Sequence, residues 1–471
     1  MNLLWNELSD RMRAHRSAVF WREPETMTYA EALRGIDERA GRLARSGFRE
    51  GERVLLRREN DTAWPLDFLA VLAAGGVVLP VDPHLTEGEM ANLREHSGAR
   101  WSVEPAGPRR IEAPDAPPLP NGTCVMMYSS GTTGMPKAVP LTETNLLANL
   151  ESLRAKIDIR QEDRMLCLLP FHHAFALTVS VLAPVAAGAS LGIAPPLKPR
   201  ELLAAWGRME PTFVLAVPAL LRLVERLVQR GGTLPSGVRG IVAGGAACPV
   251  STMQALEAAG FPVLQGYGMT EASPVISANA PGESRLGSVG RPLKGVEVRL
   301  SASPEGEILV RGANVMPGYY RDPEKTAEVL RDGWLHTGDL GRIDADGYLS
   351  ICGRSKNLIL SDDGKNIYPE EIESALAASP LFAELCVVGR PVADAQERIA
   401  AVLVPGEAMA AVPASERPGK VRAEVDRLCA QLAPYKRVQE IFLKSDPLPK
   451  TPTMKVRRPE ILRWLAGQRP L

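Results

Sequence analysis

Apolar and polar positions fall in short blocks along this chain, and the block lengths separate strands from helices. Arg53–Arg57 (RVLLR) is a brief apolar block with charged ends and predicts a strand. Residues 64–74 form a longer, mostly apolar block stopped by Gly75-Gly76, which predicts a helix. Val77–Val81, ending at Asp82-Pro83, predicts a buried strand. Residues 86–96 predict a polar-faced helix, and 101–103 begin another strand. This β-α-β-α-β rhythm predicts a parallel sheet with helical crossovers. Residues 105–121 carry six prolines and read as a linker that closes the unit.

The rhythm then returns. Strands at 125–128, 164–169, 213–217 and 241–243 alternate with helices at 144–157, 199–209, 218–229 and 249–259. Past Pro274 the blocks shorten to 296–300, 307–311 and 348–351, with frequent Gly and Asp. That texture predicts a small antiparallel or barrel-like unit. After Gly353-Arg354 come a helix at 370–378, strands at 385–388 and 400–405, and a helix at 418–432. Two apolar runs test for a membrane segment. Residues 68–81 contain Gly75-Gly76. Residues 165–197 lack charge but are broken by Pro170, Pro184, Gly188, Gly192 and Pro195-Pro196. Neither gives the roughly 20 unbroken apolar residues of a spanning helix, so no transmembrane segment is expected.

Charge and cysteine usage narrow the picture. Lys+Arg 55 balance Asp+Glu 55 over 471 residues, which argues against a nucleic-acid partner or a polybasic membrane anchor. Cys124, Cys167, Cys248, Cys352, Cys386 and Cys429 are scattered without a CxxC pair. The N-terminus is charged early and has no apolar signal core. Both features predict a cytoplasmic location.

The sharpest chemical signal is Tyr128-Ser-Ser-Gly-Thr-Thr-Gly-Met-Pro-Lys137, directly after a strand. Gly131 and Gly134 allow tight turns and close approach to an anion. Ser129, Ser130, Thr132 and Thr133 supply hydroxyl donors, and Lys137 supplies charge. The set suits a phosphate cradle, although the spacing is not that of Walker A. In Gln265-Gly-Tyr-Gly-Met-Thr-Glu271, Tyr267 between glycines can lie against a base. Thr270 could meet a phosphate, and Glu271 could hold Mg²⁺. A strand-end turn explains that segment equally well. In Gly333-Trp-Leu-His-Thr-Gly-Asp339, Asp339 suits a ribose diol or a plain surface turn. Lys455, in a Pro-rich stretch, reads in isolation as a solvated lysine.

In this order and spacing, the four segments closely resemble the adenylate-forming (AMP-binding) superfamily, which includes acyl-CoA synthetases and peptide-synthetase adenylation domains. The resemblance spans nearly the whole chain and is nearest to bacterial fatty acyl-CoA and acyl-carrier-protein synthetases. It implies an α/β fold with two parts. Residues 1–355 would form a large N-terminal domain of mixed parallel sheets with crossover helices and a small distorted barrel. Residues 356–471 would form a small mobile α+β C-terminal domain.

The resemblance also implies a reaction. A carboxylic acid and ATP·Mg²⁺ give an acyl-adenylate, and a thiol then displaces AMP. Carried over by position, Ser129–Lys137 would surround the outer phosphates. Gly244, Gly245, Ala246, Tyr267 and Gly268 would line the adenine. Thr270 would touch the α-phosphate, Glu271 would ligate Mg²⁺, and Asp339 with Arg354 would hold the ribose. Lys455 would reach the α-phosphate and acyl oxygens. Lys356 sits at the family's hinge, though an ordinary linker lysine is an equal reading. His173 would stand beside the acyl carboxylate, with His172 its easily confused neighbour.

Two departures from the family pattern are Met454, where glycine usually precedes the lysine, and Ala176, also commonly glycine. No Asp lies between Arg164 and Met209, which disfavours an amino acid. The apolar stretch 174–193 suits an aliphatic or aromatic tail, so a medium- or long-chain fatty acid is the expected substrate and CoA the expected acceptor. A carrier-protein acceptor, an aryl-CoA ligase and a non-catalytic nucleotide-binding relative are the alternatives, and a homodimer is compatible with the family. Lys436-Arg437 and the KVRR run 455–458 are the expected docking cations.

Overall fold

The computed structural model describes residues 2–22, 25–129, 137–194, 199–229, 237–246, 248–360, 365–392, 397–410, 412–451 and 455–471. Its first parallel sheet is the one the block pattern predicts. Trp101–Glu104, Arg53–Arg57, Val77–Val81 and Thr123–Ser129 run parallel in that order. Antiparallel edges are added by Gly107–Arg110 and Lys137–Thr142. Gly107–Arg110 lies inside the segment read as a linker. It folds straight back on Trp101–Glu104, so the proline-rich connection begins only after it. The helix Ala63–Ala73 is apolar all round because it is enclosed: Trp64, Phe68 and Leu72 are fully buried.

The N-terminal region carries two helices that the block pattern does not assign, Leu3–Ala14 and Tyr29–Arg45. The second starts at a capping box. The Thr28 hydroxyl accepts from the Glu31 amide, and the Glu31 carboxylate accepts from the Thr28 amide. Its inner face sets Ile36 and Leu43 in the core.

A second sheet of nine strands among the described residues follows. Its parallel centre orders Val263–Gly268, Gly240–Ala243, Phe213–Ala216, Arg164–Cys167, Ser190–Ile193 and Val19–Trp21. Past it, Val296–Leu300, Gly306–Gly312, Trp334–Ile343, Leu330–Arg331 and Leu349–Arg354 form a wholly antiparallel half-barrel sheet.

The last section packs the helices Pro369–Leu376 and Arg417–Cys429 against a sheet of Phe382–Pro391, Glu397–Pro405 and Glu440–Leu443. The apolar cores divide with the chain. The largest cluster runs up to Leu349, whereas the clusters of the last section draw only on residues from Ile359 onward. The described cysteines are all free. Among the described residues, no helix is long and apolar enough to cross a membrane.

Candidate active site

The parallel strands of the nine-stranded sheet end at a cleft of about 2710 Å³, closed on its other sides by the half-barrel and the last section. Ligands of open α/β sheets bind beyond the carboxyl ends of the strands, where the loops leave polar groups free. Gly240–Ala243 runs directly into Gly244, Gly245 and Ala246 on the cleft wall. Gly245 adopts φ +85°, a conformation strained for any residue with a side chain. Gly244 answers a different need, since a Cβ there would stand 2.8 Å from the ring of Phe175. Val263–Gly268 brings Tyr267 and Gly268 to the same wall. A Cβ at Gly268 would collide with the Pro274 carbonyl.

Two acidic centres face the cleft. Asp339 lies opposite Arg354 across the antiparallel pair Trp334–Ile343 and Leu349–Arg354. Arg354 Nε is 2.8 Å from Asp339 Oδ1, and the Tyr267 hydroxyl donates to Oδ2 at 2.8 Å. Asp339 is only 4% exposed. Burial pushes its carboxyl above the ordinary range, opposed by Arg354 and Tyr267. The second centre is Glu271, in the turn Thr270–Ala272. Its Oε1 accepts the Tyr319 hydroxyl at 2.8 Å. Lys137 donates to that hydroxyl at 3.4 Å and holds its ammonium 4.8 Å from the Tyr319 ring centroid. Burial lowers the Lys137 pKa, Glu271 opposes this, and Lys325 and Lys356 reinforce it. Among the described residues, no three His, Cys, Asp or Glu side chains gather as a metal cage. Mg²⁺ usually binds through one or two carboxylates plus substrate phosphates, and Glu271 fits that use with the oxygen not bonded to Tyr319.

Lys455 enters the same cleft from a short antiparallel pairing of Lys450 and Thr451 with Lys455 and Val456. The Thr451 amide donates to the Lys455 carbonyl at 2.8 Å, and Lys450 pairs with Val456 as an isolated bridge. Glu384 fixes this pairing, accepting from the Leu448 amide at 2.8 Å and from Lys450 Nζ. The Lys455 side chain keeps contact with solvent, yet protein surrounds it toward the cleft. Loss of water and the nearby Arg354 lower its pKa, while Asp339 and Glu271 raise it. The lysine therefore stands within electrostatic reach of both acidic centres.

His172 and His173 begin a short apolar helical run that widens into a π-helical turn at Leu177–Leu182, a distortion often found beside functional sites. Their rings lie 4.4 Å apart, and each Nε2 is enclosed without a hydrogen-bond partner among the described residues. Burial pushes His172 down to about 4 and His173 down to about 3, so both are neutral at ordinary pH. His172 Nε2 is 4.0 Å from Asp82 Oδ2.

Thr270, Lys356 and both histidines line the cleft with the residues above. Lys356 is exposed in the turn Ser355–Asn357. Ser129 ends its strand opposite Lys137 in register. Ser130, Gly131, Thr132, Thr133 and Gly134 lie outside the described residues, as does Met454. Three of the expected docking cations have carboxylate partners within the fold. Lys436 binds Glu371 at 2.6 Å, Arg458 binds Glu373 at 2.7 Å, and Arg457 binds Glu460 at 3.1 Å. Tyr319 escapes a reading of the sequence. Its only signal there is the Gly318-Tyr319-Tyr320 run ahead of the Asp322 helix cap. Arg222, which also lines the cleft, carries no motif signal at all.

The family model of the AMP-binding enzyme matches residues 7–112 and 101–320, and that of the AMP-binding enzyme C-terminal domain matches 371–455. A feruloyl-CoA synthase of Amycolatopsis sp is 32% identical over 496 aligned positions, covering 98% of each chain. A sulfoacetate–CoA ligase of Cupriavidus necator is 33% identical, covering 90% of each. The solved structure of o-succinylbenzoate CoA synthetase from Bacillus subtilis, bound to its acyl-adenylate intermediate, superposes with a TM-score of 0.85. It is 28% identical, with 99% of this chain and 98% of that one covered. This chain therefore belongs to the AMP-binding, adenylate-forming enzymes, as an acid–thiol ligase.

Proposed function

We propose that the chain joins a compact carboxylic acid, short-chain or aromatic, to CoA through an acyl-adenylate, with the two acidic centres and Lys455 acting on one nucleotide. The observation that carries this reading is that Lys455, delivered by the last section, stands within electrostatic reach of Asp339, Glu271 and Arg354 in a single cleft. The reaction needs such a convergence. A carboxylate oxygen attacks the α-phosphorus, a P–O bond to pyrophosphate breaks, and negative charge builds on the phosphoryl oxygens and the leaving group. Fixed cations in a partly dehydrated site stabilise that charge without reorganising.

The roles follow the chemistry of each group. Tyr267 and Asp339 suit the adenosine, with the Asp339 carboxyl oxygens accepting from the ribose diol. Thr270 suits the α-phosphate. Lys137, held by Tyr319, suits the outer phosphates. Glu271 would hold Mg²⁺, which when bound adds positive charge between the phosphates. His173 is neutral and offers an unpartnered Nε2 near the acyl end, so it can hydrogen-bond the acid without repelling Lys455. In the second step the thiol sulfur attacks the acyl carbon, the acyl C–O bond to the phosphate breaks, and AMP leaves.

The acid is read from the cleft wall. The apolar stretch that suggests a fatty tail is mostly core. Val181, Leu182, Ala183 and Val185 are completely buried, while Ala174, Phe175 and Val179 line the cleft. The Phe175 ring also fills the space over Gly244. These features support a short or aromatic acid over a long chain. We read residues 1–355 and 356–471 as the two domains, pivoting near Lys356, a division supported by the separate apolar cores. CoA is read as the acceptor, with a carrier protein as the second reading.

Acid-dependent ATP–pyrophosphate exchange across aromatic, short-chain and long-chain acids tests the reading, followed by mass spectrometry with CoA and with carrier protein. Exchange should saturate with an aromatic or short acid and yield a CoA thioester. Preference for a long-chain acid would overturn the substrate class, and no exchange with any acid would overturn the ligase mechanism.

A further inference from the structure

Arg222 is a half-buried cation of this cleft to which the adenylation chemistry gives no role. It lies one turn into the helix Pro218–Gln229, which starts at the carboxyl end of the strand Phe213–Ala216. The helix start is tied to the glycine turn of the active site. Val217 Cγ1 lies 3.6 Å from the position a Cβ on Gly245 would take. Arg222 therefore shares a wall with Gly244, Gly245 and Cys248 and faces the same cleft as His173.

Its side chain is half-buried, and it makes no hydrogen bond or ion pair among the described residues. Its nitrogens are not sealed off from the cleft. Three other partly buried arginines in this fold are neutralised directly, whereas Arg154 and Arg22 hold no carboxylate among the described residues. Arg239 holds Asp163 at 2.6 Å, Arg58 holds Asp61 at 2.9 Å, and Arg458 holds Glu373 at 2.7 Å. A guanidinium withdrawn from water without a counter-ion is destabilising, and Arg222, unlike Arg154, lines the cleft, where an arriving anion would relieve that cost.

The charged and titratable groups that face Arg222 do not satisfy it. Glu225 and Arg226 are on its own helix and oppose one another. Cys248 is a neutral thiol pushed up to about 12 by burial. Glu384 reaches toward it from the last section, but its two oxygens are already taken by Lys450 and the Leu448 amide. The surroundings thus leave a net positive wall facing the cleft.

We infer that Arg222 receives an oxyanion of a substrate other than ATP, and this inference rests on the ligase reading above. The oxyanion has two sources of the same chemistry. One is a second anionic group, carboxylate or sulfonate, at the far end of the acid. The other is a phosphate of the thiol substrate. A guanidinium suits either, because its planar donor fork matches carboxylate, sulfonate and phosphate oxygens.

The test uses the full chain with Arg222→Met, which keeps much of the side chain's length, and Arg222→Lys, which keeps its charge. Exchange is measured with matched acids that differ only in a distal carboxylate or sulfonate, acetate against sulfoacetate among them. Thioester formation is measured with CoA, 3′-dephospho-CoA and pantetheine. Removing a charge-assisted hydrogen bond to a ligand raises its KM by about tenfold or more. For Arg222→Met, that rise should fall on the anion-bearing acid and not on its plain partner, or on phosphorylated thiols and not on pantetheine. Arg222→Lys should recover part of it. The first pattern places the anion on the acid, and the second places it on the thiol substrate. Equal KM changes across charged and uncharged partners, or none in either series, would overturn the inference. Failure of the unsubstituted chain to exchange with any acid would instead strike the ligase reading.

Discussion

Replacing Lys455 with alanine separates the two half-reactions that share this cleft. The side chain is solvent-exposed and makes no ion pair among the described residues. Its removal should therefore leave folding stability within about 0.5 kcal/mol of the parent. Its value lies in the transition state. Both acidic centres and Arg354 act on its charge, and on the proposed reading its ammonium meets the α-phosphate. Removal of one such preorganised donor costs about a hundredfold to a thousandfold in rate, or roughly 2.7–4 kcal/mol. Acid-dependent ATP–pyrophosphate exchange should fall by at least about a hundredfold. Thioester formation from supplied acyl-adenylate should stay within a few-fold of the parent. A second readout is independent of turnover. Beyond burial and His172, Lys455 also depresses the His173 pKa, so Lys455→Ala should raise it, as followed by NMR of the imidazole. Equal loss in both half-reactions, or full retention of exchange, would refute the assignment of the lysine.

Other substitutions test the remaining parts of the site. Tyr319→Phe removes the hydroxyl between Lys137 and Glu271, and should raise the KM for ATP several-fold at limiting Mg²⁺, because a net hydrogen bond is worth about 0.5–1.5 kcal/mol; an unchanged KM would deny the relay a role. Phe175→Ala should widen the acid range toward bulkier acids, whereas Gly244→Ala should narrow it, since the added Cβ meets the ring at 2.8 Å; a specificity profile blind to both would remove this ring from the acid pocket. His172 and His173 titrate at about 4 and about 3 in the fold, against about 6.5 unfolded, so between those values the unfolded chain binds the extra protons and stability rises with pH. The stability is complete above about pH 6.5 and is lost as pH falls, at up to roughly 1.4 kcal/mol per pH unit for each ring. His173→Gln should flatten the fall in unfolding temperature between about pH 7 and pH 5, and an unaltered slope would contradict the buried neutral state.

Much of the architecture is legible in the sequence because periodicity and breakers coincide. Gly75-Gly76 ends a helix that the structure closes at Ala73, and Asp82-Pro83 ends the strand Val77–Val81. Where local signals compete, the pattern misleads. The prolines after residue 104 mask Gly107–Arg110, which pairs because Pro108 sits on an edge strand. The N-terminal helices escape the block pattern although Thr28 and Glu31 spell a capping box. At the site, motif residues are legible because glycines, hydroxyls and acids cluster in sequence. Tyr319 and Arg222 are not, because their importance comes from elements that meet only in space. The same limit applies to the acid pocket. An apolar run reads identically whether it faces a ligand or a core, and in 174–193 the core takes most of it.

The hairpin that carries Asp339 leads straight into the turn proposed above as the pivot of the last section. Arg354, which grips Asp339, is followed at once by the turn Ser355–Asn357, and the Ser355 hydroxyl donates to the Gly338 carbonyl at 3.1 Å. On the proposed reading, the seat of the sugar and the axle of the last section are therefore tied to one another by two side-chain contacts. If that section swings about the proposed pivot, the swing starts one residue from the side chain that holds the proposed seat. A nucleotide that pulled on Asp339 and Arg354 would then pull on the pivot as well, which would couple departure of spent nucleotide to the swing without a separate signal.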